Sequence, residues 1–172
     1  DASFYQDLLL KRDPVGLISI ERCGINSKND YANMRGVSIR ENTATIDQLF
    51  SLAHKKGLPT WGVGDGGNEI GMGNLKDVIS KKLSLVPCVN KVDHLVIATV
   101  SNWGAFGMTA YLEKLTGVHV FPSYENMHKY LEQTVAIGSI DGVNKVHVCT
   151  VDGYPAEVEE EIVNALQDSL SN

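Results

Sequence analysis

The sequence has little of what marks a disulfide-stabilised, zinc-binding or membrane-spanning protein. Its 172 residues include three cysteines, Cys23, Cys88 and Cys149, which are far apart and form no CxxC pair. A disulfide framework and a zinc site of common spacing are therefore excluded, and reduced thiols in a reducing compartment are favoured. Nothing in the chain resembles a signal peptide or an apolar run long enough to cross a bilayer, so we expect no membrane partner.

Basic residues are also fewer than acidic ones. The chain carries 15 Lys and Arg against 21 Asp and Glu, a formal net charge of -6 at pH 7. The densest basic stretches are two Lys-Lys pairs, at 55–56 and 81–82, and both stand at expected helix ends. Nucleic-acid binding normally shows as a basic excess gathered on one face of a protein. We therefore expect no nucleic-acid partner.

What the sequence does contain is the alternation of an α/β fold. Short apolar runs rich in β-branched residues predict strands buried on both faces, at residues 17–20, 60–63, 94–100, 118–121 and 146–151. Helical stretches are predicted before and between these runs and after the last one, at 4–10, 44–56, 75–83, 105–115, 124–137 and 156–170. We predict a single α/β domain over residues 1–172, with a mainly parallel sheet, helices on both faces and a Rossmann-like three-layer architecture.

Polar residues follow the predicted strands at the point where each strand ends. They are Glu21-Arg22, the stretch 64–69, the stretch Ser101-Asn102-Trp103-Gly104, and Asp152-Gly153. In open parallel sheets, ligands bind beyond the carboxyl ends of the strands. The sequence therefore predicts a binding or active site at one edge of the sheet.

The most unusual segment is the glycine-rich loop, residues 62–73, which holds six of the 16 glycines. Its first glycines formally satisfy the G-x-G-x-x-G pattern of dinucleotide-binding folds, although that fingerprint alone is weak. Asp65 and Glu69 would repel a pyrophosphate, and Ser101-Asn102 stands where a ribose-binding acid is expected. No Gly-Lys-Ser/Thr occurs, which excludes a nucleotide P-loop. Bare N–H groups in such a loop suit a carboxylate or a phosphate.

Two carboxylates in one loop are open to three interpretations. Asp65 and Asn68 can merely shape a turn, as Asx residues often do. Asp65 and Glu69 can instead form an acid and base pair, because neighbouring carboxylates push their pKa values apart. A third interpretation is a divalent cation site for Mg²⁺ or Mn²⁺. Nearby, Arg22 and Arg35 are candidates for clamping a substrate carboxylate, although either can equally be structural.

The motifs together resemble those of the D-glutamate cyclase family. The segments GDGGNEIGMG (64–73), IER (20–22), YANMRG (31–36), SNWG (101–104) and VDG (151–153) occur in the same order as in that family. The resemblance covers nearly the whole chain, and the ten-residue loop motif is highly specific. The family's domain extends further at its N-terminus, so this chain resembles the C-terminal portion of a larger domain.

The resemblance implies a lyase that converts D-glutamate to 5-oxo-D-proline and water. The proposed chemistry requires no cofactor, although a divalent cation, Mg²⁺ or Mn²⁺, is compatible with it. Under our own chemical assignment, Asp65 and Glu69 share the acid and base roles, and Glu21 is a third catalytic carboxylate. The N–H groups of Gly66 and Gly67 would stabilise the oxyanion. The substrate-binding candidates are Arg22, Asn33, Arg35, Gly66, Gly67, Asn68, Ser101, Asn102 and Asp152.

The expected partner is the small molecule D-glutamate, and a homo-oligomer is compatible with the sequence. The expected compartment is the cytoplasm, or the mitochondrial matrix for a eukaryotic source. Two other functions stay open. One is a metal-assisted hydrolase or phosphotransferase that uses Asp65 and Glu69 around a divalent cation. The other is a non-enzymatic sensor of acidic amino acids.

Overall fold

The computed structural model describes residues 2–171 of the protein. The chain divides into two compact units, the first ending at Ser101 and the second beginning at Asn102. The first unit contains a parallel sheet formed by the first three of the five predicted strands, and the second unit is mainly helical.

The first unit is built on a three-stranded parallel sheet in the order β1-β2-β3. Its elements along the chain are α1 (Ala2–Arg12), β1 (Leu17–Ile20), α2 (Asp47–Lys55), β2 (Thr60–Gly64), α3 (Lys76–Lys82) and β3 (His94–Ile97), with short 3-10 turns at Arg40–Asn42 and Met72–Leu75. Because neighbouring strands are parallel, their carboxyl ends lie at the same edge. The predicted fold class, α/β with a parallel sheet in a three-layer architecture, is confirmed.

The glycine-rich loop packs back onto the strand that precedes it. Ile70 is fully buried and forms a core cluster with Phe50 and Val92. A Cβ added to Gly62 of β2 would lie 2.5 Å from the carbonyl oxygen of Ile70, so only glycine permits this approach. The second core cluster of the unit, Met72, Ile79 and Cys88, anchors the far end of the loop. Burial of these side chains holds residues 65–69 at the sheet edge.

The second unit contains three helices and a two-stranded hairpin. They are α4 (Ser101–Thr116), α5 (Tyr124–Ala136), β4 (Thr150–Val151), β5 (Tyr154–Pro155) and α6 (Ala156–Ser171). Helix α4 begins at Ser101, the last residue of the first unit. A cluster of Ala110, Phe121 and Val163 forms the core of this unit.

Three of the strand predictions are wrong in whole or in part. β3 ends at Ile97 instead of residue 100, because α4 begins four residues earlier than predicted. Residues 118–121 form no strand: Phe121 is buried in the helical core, and its N–H donates to the Glu113 carboxylate at 2.7 Å. Of residues 146–151, only Thr150–Val151 is a strand, and it pairs antiparallel with β5. Short apolar runs do not distinguish a sheet strand from a packed connection between helices.

Candidate active site

Three carboxylates meet at the carboxyl edge of the first unit's sheet. Glu21 directly follows β1, and Asp65 and Glu69 follow β2. One carboxylate oxygen from each lies within 4.8 Å of the other two. Glu21 is exposed, Asp65 is half-buried and Glu69 is buried. The predicted convergence of these acidic side chains at one edge is confirmed, and it follows from the parallel order of the strands.

Glu69 is held by the backbone of its own loop. Its Oε1 accepts hydrogen bonds from the N–H groups of Asp65, at 3.0 Å, and Gly66, at 2.6 Å. Its Oε2 accepts from the N–H of Gly67 at 2.7 Å. Glu69 is only 1% exposed, so these three amides are what makes a carboxylate tolerable at this depth.

These hydrogen bonds occupy the two N–H groups that were expected to form an oxyanion site. The N–H groups of Gly66 and Gly67, expected to face a substrate, donate instead to Glu69. Sequence reasoning missed the contact. The one available signal was the spacing: Glu69 follows Gly66 by three positions and Gly67 by two. At this spacing a carboxylate can fold back and accept hydrogen bonds from the N–H groups of the turn.

Asp65 is tied to the segment that follows β3. Its Oδ2 accepts the N–H of Ser101 at 2.9 Å. Ser101 is fully buried, and among residues 2–171 its hydroxyl oxygen has no hydrogen-bond partner. The carboxylate therefore satisfies the first amide of α4, as an acidic cap does. The prediction that Ser101 lies beside the acidic loop is confirmed in position.

Glu21 has a backbone conformation that is uncommon for its residue type. Its φ is +54°, in the left-handed region that a non-glycine residue enters at a cost of about 1–2 kcal/mol. Its N–H donates to the carbonyl of Val63 at 3.1 Å, and the carbonyl of the next residue, Arg22, accepts from Ile70 at 2.8 Å. The chain thus turns sharply where β1 ends. An uncommon conformation at a polar edge is typical of functional positions.

Several of the predicted substrate-binding side chains bond to the protein itself. The Asn68 amide donates to the carbonyl of Ala32 at 3.0 Å. The Asn33 side-chain oxygen accepts the N–H groups of Arg35 and Val37. One terminal nitrogen of Arg22 donates to the carbonyl of residue 44 at 3.0 Å, and its Nε is buried without a partner among the described residues. Substrate-binding roles for these residues and for the exposed Arg35 stay predictions.

Asn102 and Asp152 belong to the second unit. Asn102 is the second residue of α4. Asp152 and Gly153 form the turn between β4 and β5, with φ values of +49° and +82°. Asp-Gly is a preferred pair for such two-residue hairpins. Their expected roles in substrate binding stay predictions.

The cysteines of the first unit lie in surroundings that do not favour the reactive thiolate. Burial raises the pKa of Cys23, whose thiol donates to the carbonyl of Ala32 at 3.3 Å. Burial also raises the pKa of Cys88 to about 12. A thiol that stays protonated at neutral pH is a poor nucleophile. The carboxylates are therefore the groups at this edge suited to proton transfer.

Fold and site together define an α/β protein with an acidic site at the carboxyl edge of a parallel sheet. Residues 5–167 match the family described as D-glutamate cyclase-like, C-terminal, and the chain belongs to this family. It is also similar to a human protein named D-glutamate cyclase, mitochondrial, with 38% identity over 112 residues. That match covers 63% of this chain but only 18% of the human protein. Within residues 2–171, no helix has both the length and the apolarity needed to cross a bilayer.

Proposed function

We propose that the protein carrying this chain is a D-glutamate cyclase, a lyase that converts D-glutamate to 5-oxo-D-proline and water. The proposal is carried by the three carboxylates, Glu21, Asp65 and Glu69, whose oxygens lie within 4.8 Å of one another. Membership of the D-glutamate cyclase-like family and similarity to the human cyclase support it. The partner is a small amino acid with two carboxyl groups.

The reaction needs proton transfers that carboxylates can supply. The substrate amine attacks its own side-chain carboxyl carbon, so a C–N bond forms and a C–O bond breaks. The amine must attack as the free base, so a base takes its proton. The oxygen leaves as water, so an acid returns a proton. Holding the substrate folded for ring closure removes much of the entropic part of the barrier.

We assign the proton transfers to Asp65 and Glu21, and give Glu69 a positioning role. All three loop amides already donate to Glu69, so adding a proton to this carboxylate would disturb the hydrogen bonds that hold it. Glu21 is exposed and Asp65 is half-buried, so both are accessible to a substrate. In this assignment the charge on Glu69 shapes the loop that presents Asp65. The exposed Arg35 is the candidate for pairing with a substrate carboxylate.

The human relative is named as a mitochondrial protein. If the source of this chain is eukaryotic, we propose the mitochondrial matrix as its compartment. A homo-oligomer stays a proposal that solution sizing would test.

The test is incubation of the purified full-length protein with D-glutamate and, separately, with L-glutamate, with 5-oxoproline followed by chiral chromatography. Turnover of the D enantiomer is expected. Asp65→Asn should lower kcat by about 10²–10⁴-fold, since it removes a proton-transfer group. Asp7→Asn, the same change at an exposed position of α1, is the matched control and should keep full activity. No conversion of either enantiomer by the folded protein would end the cyclase proposal.

A second candidate is favoured by the same carboxylates. Three acidic oxygens within 4.8 Å form a donor set that suits Mg²⁺ or Mn²⁺, and a metal-assisted hydrolase or phosphotransferase could use it. Glu21, Asp65 and Glu69 would hold such an ion, which would polarise a substrate oxygen. Chelator treatment decides between the two candidates. Activity lost in chelator and restored by Mg²⁺ or Mn²⁺ favours the metal-assisted function, and full activity in chelator removes it.

A further inference from the structure

We propose that Tyr31 is a positioning residue for the carboxylate site and acts through its hydrogen bond to Asp47. The inference rests on the proposed cyclase function. It concerns residues outside the carboxylate group, in the segment between β1 and α2 and at the start of α2.

The Tyr31–Asp47 pair is a short hydrogen bond inside the first unit. The Tyr31 hydroxyl donates to Asp47 Oδ1 at 2.6 Å. Tyr31 is 1% exposed and Asp47 is 3% exposed. Asp47 is the first residue of α2, where the helix dipole stabilises its negative charge. The pair therefore fixes the ring of Tyr31 to a rigid helix end.

The backbone next to Tyr31 carries that constraint to the glycine-rich loop. The carbonyl oxygen of Ala32 accepts the side-chain amide of Asn68 at 3.0 Å and the thiol of Cys23 at 3.3 Å. Asn68 immediately precedes Glu69 in the chain, and its own carbonyl accepts the N–H of Gly24 at 2.9 Å. A shift of the Ala32 carbonyl would therefore shift Asn68 and with it the loop that holds Asp65 and Glu69.

The segment around Tyr31 is stiff enough to transmit a displacement. The Tyr31 carbonyl accepts the N–H of Ile39 at 2.7 Å, and Ala32 forms a β-bridge with Ser38. Arg40 lies over the Tyr31 ring, 5.4 Å from its centroid. A ring that shifts after losing the Asp47 contact would therefore move Ala32 with it. A misplacement of about 1 Å in a catalytic group can lower the rate by about 100-fold.

The chain supplies a matched control for this tyrosine. Tyr5 is also buried, and its hydroxyl pairs with Thr45 Oγ1 at 2.8 Å, two residues before Asp47. Tyr31→Phe and Tyr5→Phe each remove one hydroxyl contact of a buried tyrosine near the start of α2. Both should lower Tm by a few degrees, roughly what one lost hydrogen bond costs in a domain of this size. In the Tyr31 variant alone, kcat should fall by about tenfold or more while KM changes by less than about threefold.

Asp47→Asn and Asn68→Ala test the path itself. Asp47→Asn keeps an acceptor oxygen for the Tyr31 hydroxyl, so it should retain clearly more activity than Tyr31→Phe. If Tyr31 acts through Asn68, the double variant Tyr31→Phe/Asn68→Ala should lose less kcat than the product of the two single losses. Multiplicative losses, or equal kcat in the Tyr31 and Tyr5 variants, would overturn the proposal.

Amide hydrogen exchange separates this proposal from the cyclase assignment. Exchange at residues 64–69 should be about tenfold faster in Tyr31→Phe than in Tyr5→Phe, whatever the reaction catalysed. If the unaltered protein turns over neither glutamate enantiomer, the cyclase function fails while the exchange result still decides the positioning role. Equal exchange in the two variants would refute the positioning role of Tyr31. If Tyr31→Phe does not fold, Asp47→Ala replaces it and is compared with Tyr5→Phe in the same way.

Discussion

The N–H of Gly66 donates to the Oε1 of Glu69, three residues further along the same loop, at 2.6 Å. With the amides of Asp65 and Gly67, it surrounds a buried carboxylate with main-chain donors. The loop thus carries its own anion. This relationship explains how a glycine-rich strand end accommodates one buried carboxylate, that of Glu69.

Replacing Glu69 by Gln tests whether the loop needs that anion. A glutamine side chain has one acceptor oxygen, so the amide that bonds Oε2 would face a donor instead. We expect the free energy of unfolding to fall by about 1–3 kcal/mol, the cost of an unsatisfied buried group. Cyclase activity should fall with it. Denaturant unfolding of Glu69→Gln beside Glu41→Gln, an exposed control, measures the difference, and equal midpoints would contradict this account.

Gly73 tests the close packing at the far end of the loop. A Cβ there would lie 2.5 Å from the carbonyl oxygens of Val89 and Asn90, which are backbone atoms that cannot swing aside. Gly73→Ala should therefore lower stability by about 1–3 kcal/mol or more. Gly107 lies in α4 with nothing in the described structure within 4 Å of its added Cβ. Gly107→Ala should raise stability by about 0.5–1 kcal/mol, and thermal unfolding of the two variants checks the opposite signs.

The lowered pKa of Asp141 leads us to expect that the second unit loses stability in acid. Burial opposes its charge, but hydrogen bonds from Thr150, Asn144, Gly153 and Val143 outweigh burial and lower the pKa from 3.8 to about 2. Because the folded-state pKa is the lower one, the carboxylate stabilises the folded state above about pH 4. That contribution is lost as the pH falls toward 2.

The variant Asp141→Asn should therefore be less stable than the parent protein at pH 6, and the gap should close between pH 4 and pH 2. Urea unfolding at several pH values measures it. Glu161→Gln, an exposed change on α6, is the control and should show no such closing gap. A gap of constant size down to pH 2 would show that Asp141 does not carry the effect.

The three thiols should differ in reactivity. Cys23 and Cys88 are buried, and Cys149 is half-buried. With a pKa of about 12, the Cys88 thiol is almost wholly protonated at pH 8. A colorimetric thiol reagent at pH 8 should label one site quickly in the folded protein and three after denaturation. Cys149→Ser should abolish the fast phase, and fast labelling that survives this change would contradict the assignment.

The alternation of apolar runs was enough to predict the first half of the fold. β1 has the predicted bounds, and β2 exceeds them by one residue, because buried parallel strands leave a continuous apolar run in the sequence. In the second half, the strands differ from those predicted. Residues 118–121 have the same local character but pack between helices, since burial of Phe121 is decided by distant partners, Ala110 and Val163.

At the candidate site, the residue pattern alone was sufficient to predict that Glu21, Asp65 and Glu69 would meet. Glu21, Asp65 and Glu69 stand at the ends of neighbouring parallel strands, and parallel strands end at one edge. The hydrogen-bond partners of these groups follow only from the folded chain. Glu69 accepts hydrogen bonds from the loop amides, and Asp65 accepts the N–H of Ser101. The side-chain amide of Asn68 donates to the carbonyl of Ala32. A hydrogen bond depends on distances of a few tenths of an ångström between atoms far apart in the chain, and no residue pattern encodes those distances.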